Sequence, residues 1–306
     1  MKRKIVITTG DPAGCGPLIT LKAVQSLKKG NLFVVSDRKI LKRYRLFNKL
    51  SGKITFIDVK TPHIDSIRPG YPSRLSGAAA MNYLETALIL MKREKIQRLV
   101  TAPLSKEAVR VSMGDFSGHT EFLAGHFKAK GAGMMMVGGN LRIFLLTRHI
   151  PLRDVSGTVR KKLVRESLLL VYHSLRSVFR IRNPKIVFAG LNPHAGVNTF
   201  LEKEERIIRD IVKDFKHGVE GPYPSDTLFL ENIAKKYDCI IACYHDQAMI
   251  PFKLLSFTKG VNLTLGLPII RTSPAHGTAF DLMRKNIEPL HSSMVSAIKL
   301  ARKLSL

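Results

Sequence analysis

Short apolar runs recur along this chain between longer amphipathic stretches, and that alternation leaves few folds open. Lys4–Thr9, Leu32–Ser36, Ile54–Asp58, Gln97–Ala102, Lys185–Gly190, Cys239–Cys243 and Val261–Leu265 read as buried strands. Between them, Leu18–Lys28, Lys39–Asn48, Gly77–Lys95 and Val159–Phe179 carry apolar residues at helical spacing, with Val159–Phe179 expected to be the longest helix. Lys106–Val111 and Thr120–Phe127 read as short helices, and His291–Ser305 as a closing one. Gly221–Ser225 is a turn, with Asp226 expected as N-cap of a helix over Thr227–Lys236. Met134–Val137 and Leu141–Thr147 flank Gly138-Gly139-Asn140, a hairpin signal. Strands alternating with helices predict an α/β fold whose mainly parallel sheet is covered on both faces. No repeat, low-complexity segment or linker divides the 306 residues, so any domains are expected to interleave.

The bulk composition narrows the function classes. Mean hydropathy is +0.02, and no apolar run reaches the length needed to span a bilayer. Met1–Lys4 is basic, but Ile5–Thr8 is too short for a signal-peptide core, so the expected location is the cytoplasm, with no membrane partner. Cys15, Cys239 and Cys243 are an odd count, and the latter two are too far apart on one strand to bridge. The net charge of +27 comes from 50 basic and 23 acidic residues. The basic residues are scattered along helix-like segments and there is no Trp. That pattern favours solvated helix faces and a field attracting anionic ligands over dedicated nucleic-acid binding.

Three histidines each follow an apolar run: His149 after Ile143–Leu146, His194 after Ile186–Ala189, and His245 after Ile240–Cys243. Ligands of α/β folds bind where the carboxyl ends of buried strands converge. Three imidazoles delivered there suit a divalent metal with positions left open for substrate. Asp246 and Asp226 are of a type that orients imidazoles or ligates directly; a surface turn and a helix cap are their plainer readings. Thr120, in Phe116–Phe122, is a candidate cap for a helix whose N–H groups would bind phosphate or carboxylate. Lys253, Asn262 and Arg271 are types that clamp anionic oxygens. Gly10–Pro17 contains Gly10, Asp11 and Gly14 in a strand-to-helix turn where backbone approaches a ligand closely, although it is neither G-x-G-x-x-G nor a P-loop. His276, Gly277 and Thr278, ahead of Asp281, form either a nucleotide-edge loop or a turn with a cap.

Taken in order, GDPAGCGP, TAPLSKEAV, FSGHTEF, HIPLRDV, GLNPHAG, GPYPSDTLF, YHDQ, GVNLTLGLPIIRTS and HGTA run from about residue 4 to about residue 300. Together they resemble the 4-hydroxythreonine-4-phosphate dehydrogenase family of pyridoxal phosphate biosynthesis. That resemblance implies an isocitrate/isopropylmalate dehydrogenase-like fold of two α/β/α lobes with an interdomain active-site cleft. Residues 1–104 plus 256–306 would be a discontinuous cofactor-binding lobe, and 105–255 the metal, substrate and dimerisation lobe. It implies His149, His194 and His245 as ligands of one divalent ion (Zn, Mg or Co) per active site. His119, Thr120, Lys253, Asn262 and Arg271 would contact substrate. Gly10, Asp11, Gly14, His276, Gly277, Thr278 and Asp281 would border NAD, or NADP. Lys106, Lys253 and Asp246 are candidates for the proton acceptor, with Asp226 in support. The family is a homodimer with its active site at the subunit interface.

The implied reaction is oxidation of 4-phosphooxy-L-threonine with loss of CO2, giving 3-amino-2-oxopropyl phosphate. A relative acting on threonate or erythronate 4-phosphate is the nearest alternative, and a basic nucleic-acid binder the alternative from another class. Two departures from the family pattern stand out: Leu18 replaces an acidic residue after the glycine turn, and Val197–Phe200 replaces a glycine-rich loop.

Overall fold

The computed structural model describes residues 3–27, 30–50, 54–197, 203–215 and 218–306. Residues 198–200 of the altered loop lie outside them. The first elements are β1 (Ile5–Thr8), α1 (Gly16–Ser26), β2 (Leu32–Ser36), α2 (Arg38–Lys42), β3 (Thr55–Asp58), α3 (Arg74–Arg93), β4 (Arg98–Thr101), α4 (Lys106–Met113) and α5 (His119–His126). Then come β5 (Gly133–Gly138), β6 (Leu141–Leu145), α6 (Leu152–Thr158), α7 (Lys161–Ser177), β7 (Ile186–Ala189), α8 (Lys203–Asp214), β8 (Val219–Tyr223), α9 (Ser225–Leu228) and α10 (Glu231–Ala234). β9 (Cys239–Ala242), α11 (His245–Ser256), β10 (Val261–Leu265), β11 (Ile270–Pro274), α12 (Phe280–Arg284) and α13 (Ser292–Lys303) complete the chain.

Two compact units result: Met1–Ala129 with Leu267–Leu304, and Lys130–Gly266 with Ser305–Leu306. α4 and α5 belong to the first unit, although the sequence reading grouped residues 105–129 with the other lobe. The reason is local packing: a Cβ at Gly77 of α3 would sit 2.1 Å from the Ala108 carbonyl of α4, so these helices meet backbone to backbone.

In the first unit, the strands run β3-β2-β1-β4-β11, all parallel. β1 is its core, with Ile5, Val6 and Ile7 fully buried. In the second unit, the order is β10-β5-β6-β9-β7-β8. β5 and β6 form the expected hairpin, with Gly139 at φ 61° in the tight turn that only glycine enters freely. β10 and β6 both pair antiparallel with β5, while the β6–β9, β9–β7 and β7–β8 pairs are parallel. Val164, Leu168, Val171 and Leu175 of α7 are fully buried, the apolar stripe expected of this helix.

Several local expectations are corrected. α3, with 20 residues, is longer than α7, with 17. Its start is fixed by a reciprocal Ser73–Ser76 capping box. Lys39–Asn48 is not one helix: α2 ends at Lys42, and a 3-10 turn follows over Arg45–Leu50. Asp226 is no N-cap, because α9 starts earlier, after Pro224, and places Asp226 in its first turn. The helix expected through Lys236 is the separate pair α9 and α10. Thr120 caps nothing either: α5 begins at His119, and Gly118 takes the cap at φ 138°. All three cysteines are free and buried, and burial pushes their thiols up to about 12, away from nucleophilic use. Among the described residues, no helix is long and apolar enough to cross a membrane.

Candidate active site

In the second unit, β6, β9 and β7 are consecutive neighbours, so three carboxyl ends lie side by side. Polar side chains tie those ends together. Thr147, just past β6, donates its hydroxyl to the Cys243 carbonyl at 2.7 Å. Gln247, buried in the first turn of α11, accepts the Cys243 N–H at 2.6 Å. Its amide nitrogen donates to the Gly190 carbonyl at 2.7 Å and to Ser225 Oγ at 2.8 Å. One side chain thus joins the ends of β9 and β7 to the start of α9.

The three histidines rise from this platform. His149 follows Thr147 by two residues, His245 follows Cys243 by two, and His194 follows Gly190 by four. The rings of His149 and His245 approach to 5.6 Å between centroids. Asp246 Oδ1 lies 2.6 Å from His245 Nδ1, which leaves Nε2 as the outward ligand atom. His194 is exposed, in a turn where it and Ala195 hold left-handed φ of 55° and 53°. Nitrogen donors backed by a carboxylate fit a divalent ion. Among the described residues, no three of His, Cys, Asp and Glu are grouped to hold an ion. Asp226 is exposed in α9 and stands in no such group. Lys253 is exposed on α11. Asn262 on β10 donates to Met134 Sδ at 3.2 Å, while its buried Oδ1 has no partner.

The first unit buries a cation. Arg271 is 3% exposed, and its Nε and Nη2 donate to Thr101 Oγ1 at 3.1 and 2.6 Å. Burial lowers its pKa to about 10, with Glu121 opposing, so it is still charged at neutral pH. Burial, then the charges of Arg271 and Lys106, hold His119 well below 6.5 and therefore neutral. The Lys106 ammonium and a Glu121 carboxylate oxygen both lie against Gly118, 3.3 and 3.2 Å from where a Cβ would stand. Thr120 is buried in the same first turn of α5. A buried guanidinium with a lysine and a helix N-terminus beside it is an arrangement for an anion.

The glycine turn and the His276–Thr278 loop meet in this unit too. Cys15 N–H donates to the Thr278 carbonyl at 2.9 Å, and a Cβ on Gly14 would lie 3.0 Å from the same oxygen. Gly10, at φ 66°, lies so close to β4 that a Cβ would meet the Pro103 carbonyl at 2.1 Å. Asp11 is buried, accepting from Ala13 N–H at 2.9 Å and Ser76 Oγ at 3.3 Å; burial raises its pKa from 3.8. It holds the turn's shape. His276 keeps a buried Nε2 without a partner, and Asp281 is exposed in α12. Leu18, where an acid was expected, is half-buried.

A profile of the family described as "Pyridoxal phosphate biosynthetic protein PdxA" matches residues 17–301. The chain belongs to the PdxA family. It is 39% identical to a 4-hydroxythreonine-4-phosphate dehydrogenase from Synechococcus sp. (strain JA-3-3Ab), over 99% of this chain and 95% of the relative. A relative from Oceanobacillus iheyensis, provisionally named D-threonate 4-phosphate dehydrogenase, is 38% identical over 99% of this chain and 98% of its own. The crystal structure of the 4-hydroxythreonine-4-phosphate dehydrogenase from Klebsiella pneumoniae superposes with a TM-score of 0.86 at 33% identity, covering 99% of this chain and 98% of that one. The mixed α/β fold, the family and the assignment as a dehydrogenase expected from the motifs therefore hold.

The sequence reading overlooked Gln247 as a clamp and Glu205, whose Oε1 accepts the Asn192 N–H at 2.7 Å two residues before His194. Gln247 stands inside the YHDQ run, which is a signal of position without a role. Glu204-Glu205 reads as an ordinary acidic helix start.

Proposed function

We propose that the chain oxidises 4-phosphooxy-L-threonine with NAD+ and releases CO2, giving 3-amino-2-oxopropyl phosphate and NADH. What carries this reading is the buried Arg271, with neutral His119 and Lys106 beside it, a pocket suited to a substrate phosphate or carboxylate. Thr120 lies in the same turn, and Lys253 and Asn262 are further substrate contacts in this reading; the orphaned Asn262 Oδ1 is free to accept from a ligand. The turn at Gly10, Asp11 and Gly14, packed against His276–Thr278, borders the dinucleotide, with Asp281 beyond it. Its close backbone leaves room for a pyrophosphate, and the unpartnered His276 Nε2 can donate to or accept from the cofactor.

His149, His194 and His245 would hold the divalent ion, with Asp246 fixing the His245 tautomer. When bound, such an ion supplies Lewis-acid chemistry, favouring loss of the hydroxyl proton and carrying negative charge on oxygen. Bound NAD+ would supply the hydride acceptor for the substrate's C3 hydrogen. The hydroxyl proton would pass to a base, for which Lys106, Lys253 and Asp246 are the candidates; His245 already engages the Asp246 carboxylate.

A second reading is supported by the Oceanobacillus relative, whose identity of 38% lies within the 36–39% of relatives named for 4-hydroxythreonine 4-phosphate. NADH formation measured at 340 nm with each substrate separates the two: 4-phosphooxy-L-threonine is expected to have the higher kcat/KM. Preference for D-threonate 4-phosphate would replace the first reading with the second.

We also read the chain as a cytoplasmic homodimer. On α11, Ile250 (61% exposed), Leu254 (81%) and, just past the helix, Phe257 (63%) lie three and four residues apart, an apolar stripe beside Lys253. Light scattering at micromolar concentration is expected to give twice the 34.2 kDa chain mass; a monomer would overturn this assembly.

A further inference from the structure

Glu205 is fully buried and Glu204 is 9% exposed, both in the first turn of α8. Acidic residues at a helix start are ordinary when solvated; buried carboxylates require partners. For Glu205, that partner is one residue, gripped twice. Oε1 accepts the Asn192 backbone N–H at 2.7 Å, and Oε2 accepts Asn192 Nδ2 at 3.0 Å. Glu204 accepts the Ser156 hydroxyl and, at 3.5 Å, Asn192 Nδ2.

Asn192 is the residue that opens the Pro193–Gly196 turn. His194 and Ala195, in that turn, both hold left-handed backbone, which non-glycine residues keep only where their surroundings fix it. Among the described residues, two contacts bear on this turn. Gly190 lets the turn close onto β7, since a Cβ there would lie 2.9 Å from Ala195 Cα. Glu205 pins the residue at the turn's entrance.

We propose that Glu205, acting through Asn192, is a positioning residue for the His194 imidazole. The buried carboxylate holds the left-handed turn, just past the end of β7, that carries the His194 ring. This rests on the reading of those rings as divalent-ion ligands.

The test titrates the full-length protein with Co2+, whose visible spectrum reports ligand number and type. Wild type, His149→Ala, Glu205→Ala and Glu205→Gln are compared. Hydrogen exchange of the metal-free proteins follows residues 190–197. His149→Ala is expected to lose the site. Glu205→Ala is expected to weaken Co2+ binding by roughly 10- to 100-fold and to change its spectrum. Faster exchange should be confined to 190–197. Glu205→Gln, whose carbonyl still accepts the Asn192 N–H, is expected to recover most of the affinity. Wild-type affinity and spectrum in Glu205→Ala would overturn the positioning role and leave the ligand reading standing. Faster exchange across the whole unit would reduce Glu205 to a general structural residue and overturn it also. Equal Co2+ binding by wild type and His149→Ala would overturn the ligand reading, and the positioning role with it. If Glu205→Ala does not fold, Asn192→Ala removes the Nδ2 bonds from the other side and is judged by the same affinities.

Discussion

His149→Ala is expected to lower kcat/KM by about 1,000-fold or more, and chelation of the wild-type protein to do the same until a divalent ion is restored. Such a loss corresponds to about 4 kcal/mol of transition-state stabilisation. The size of the effect follows from what the ring is asked to do. Hydride would leave a carbon whose hydroxyl loses a proton, and in the proposed mechanism the divalent ion would carry the charge left on that oxygen. The fold should scarcely respond. His149 is exposed, and replacing an exposed side chain away from a cap or core changes stability by about 0.5 kcal/mol or less. Steady-state kinetics and a thermal melt read both arms. Full turnover after exhaustive chelation would remove the ion from the mechanism.

Arg271→Leu is expected to weaken substrate binding by about 2–5 kcal/mol, seen mainly as a higher KM, while holding or raising the melting temperature. The two effects have one cause. A guanidinium that is 3% exposed, with its pKa lowered to about 10, is a charge the fold accommodates at a cost at neutral pH. From about pH 10 upward the native state binds fewer protons here than the unfolded chain, so this group makes the protein more stable as pH rises above about 10 toward the ordinary arginine value. Leucine removes the buried charge, and the substrate anion loses its deepest partner. A lower melting temperature with unchanged KM would overturn the assignment.

The same variant tests His119. Burial comes first among the causes of its depressed pKa, then Arg271, then Lys106. Removing the Arg271 charge should move the His119 pKa back toward 6.5, visible by NMR titration of the ring. In the wild type, the depressed value means that the unfolded chain takes up the proton first as pH falls below 6.5. His119 therefore makes the fold lose stability as pH falls from 6.5 toward its folded value.

Much of the architecture was legible because it is locally encoded. β10 runs Val261–Leu265, the span read from apolar content alone, and the Gly139 turn sets the β5–β6 hairpin from two residues. Errors arose where a cap was chosen by residue type alone. Asp226 and Thr120 are both good cap residues, yet Pro224 and Gly118 occupy the caps, because the chain must enter each helix from a direction that φ at those positions permits. The Glu205 grip was illegible for another reason. Its partner, Asn192, is 13 residues away across a stretch with no pattern of its own, and an acidic pair at a helix start has a sufficient local explanation.

By itself, the sequence determined the alternation of strands and helices, the three histidines that follow strands, and the ordered motifs that mark the family. These survive because propensity, periodicity and motif spacing are properties of neighbouring residues. Only the tertiary structure decided that β9 lies between β6 and β7, which places His245 between His149 and His194 in strand order although it comes last in the chain. Strand neighbours are chosen by hydrogen bonds and packing between distant segments, so no local pattern announces them. The same long-range choice buried Arg271 against Thr101, 170 residues earlier in the chain, and turned a basic residue in a strand into a buried charge.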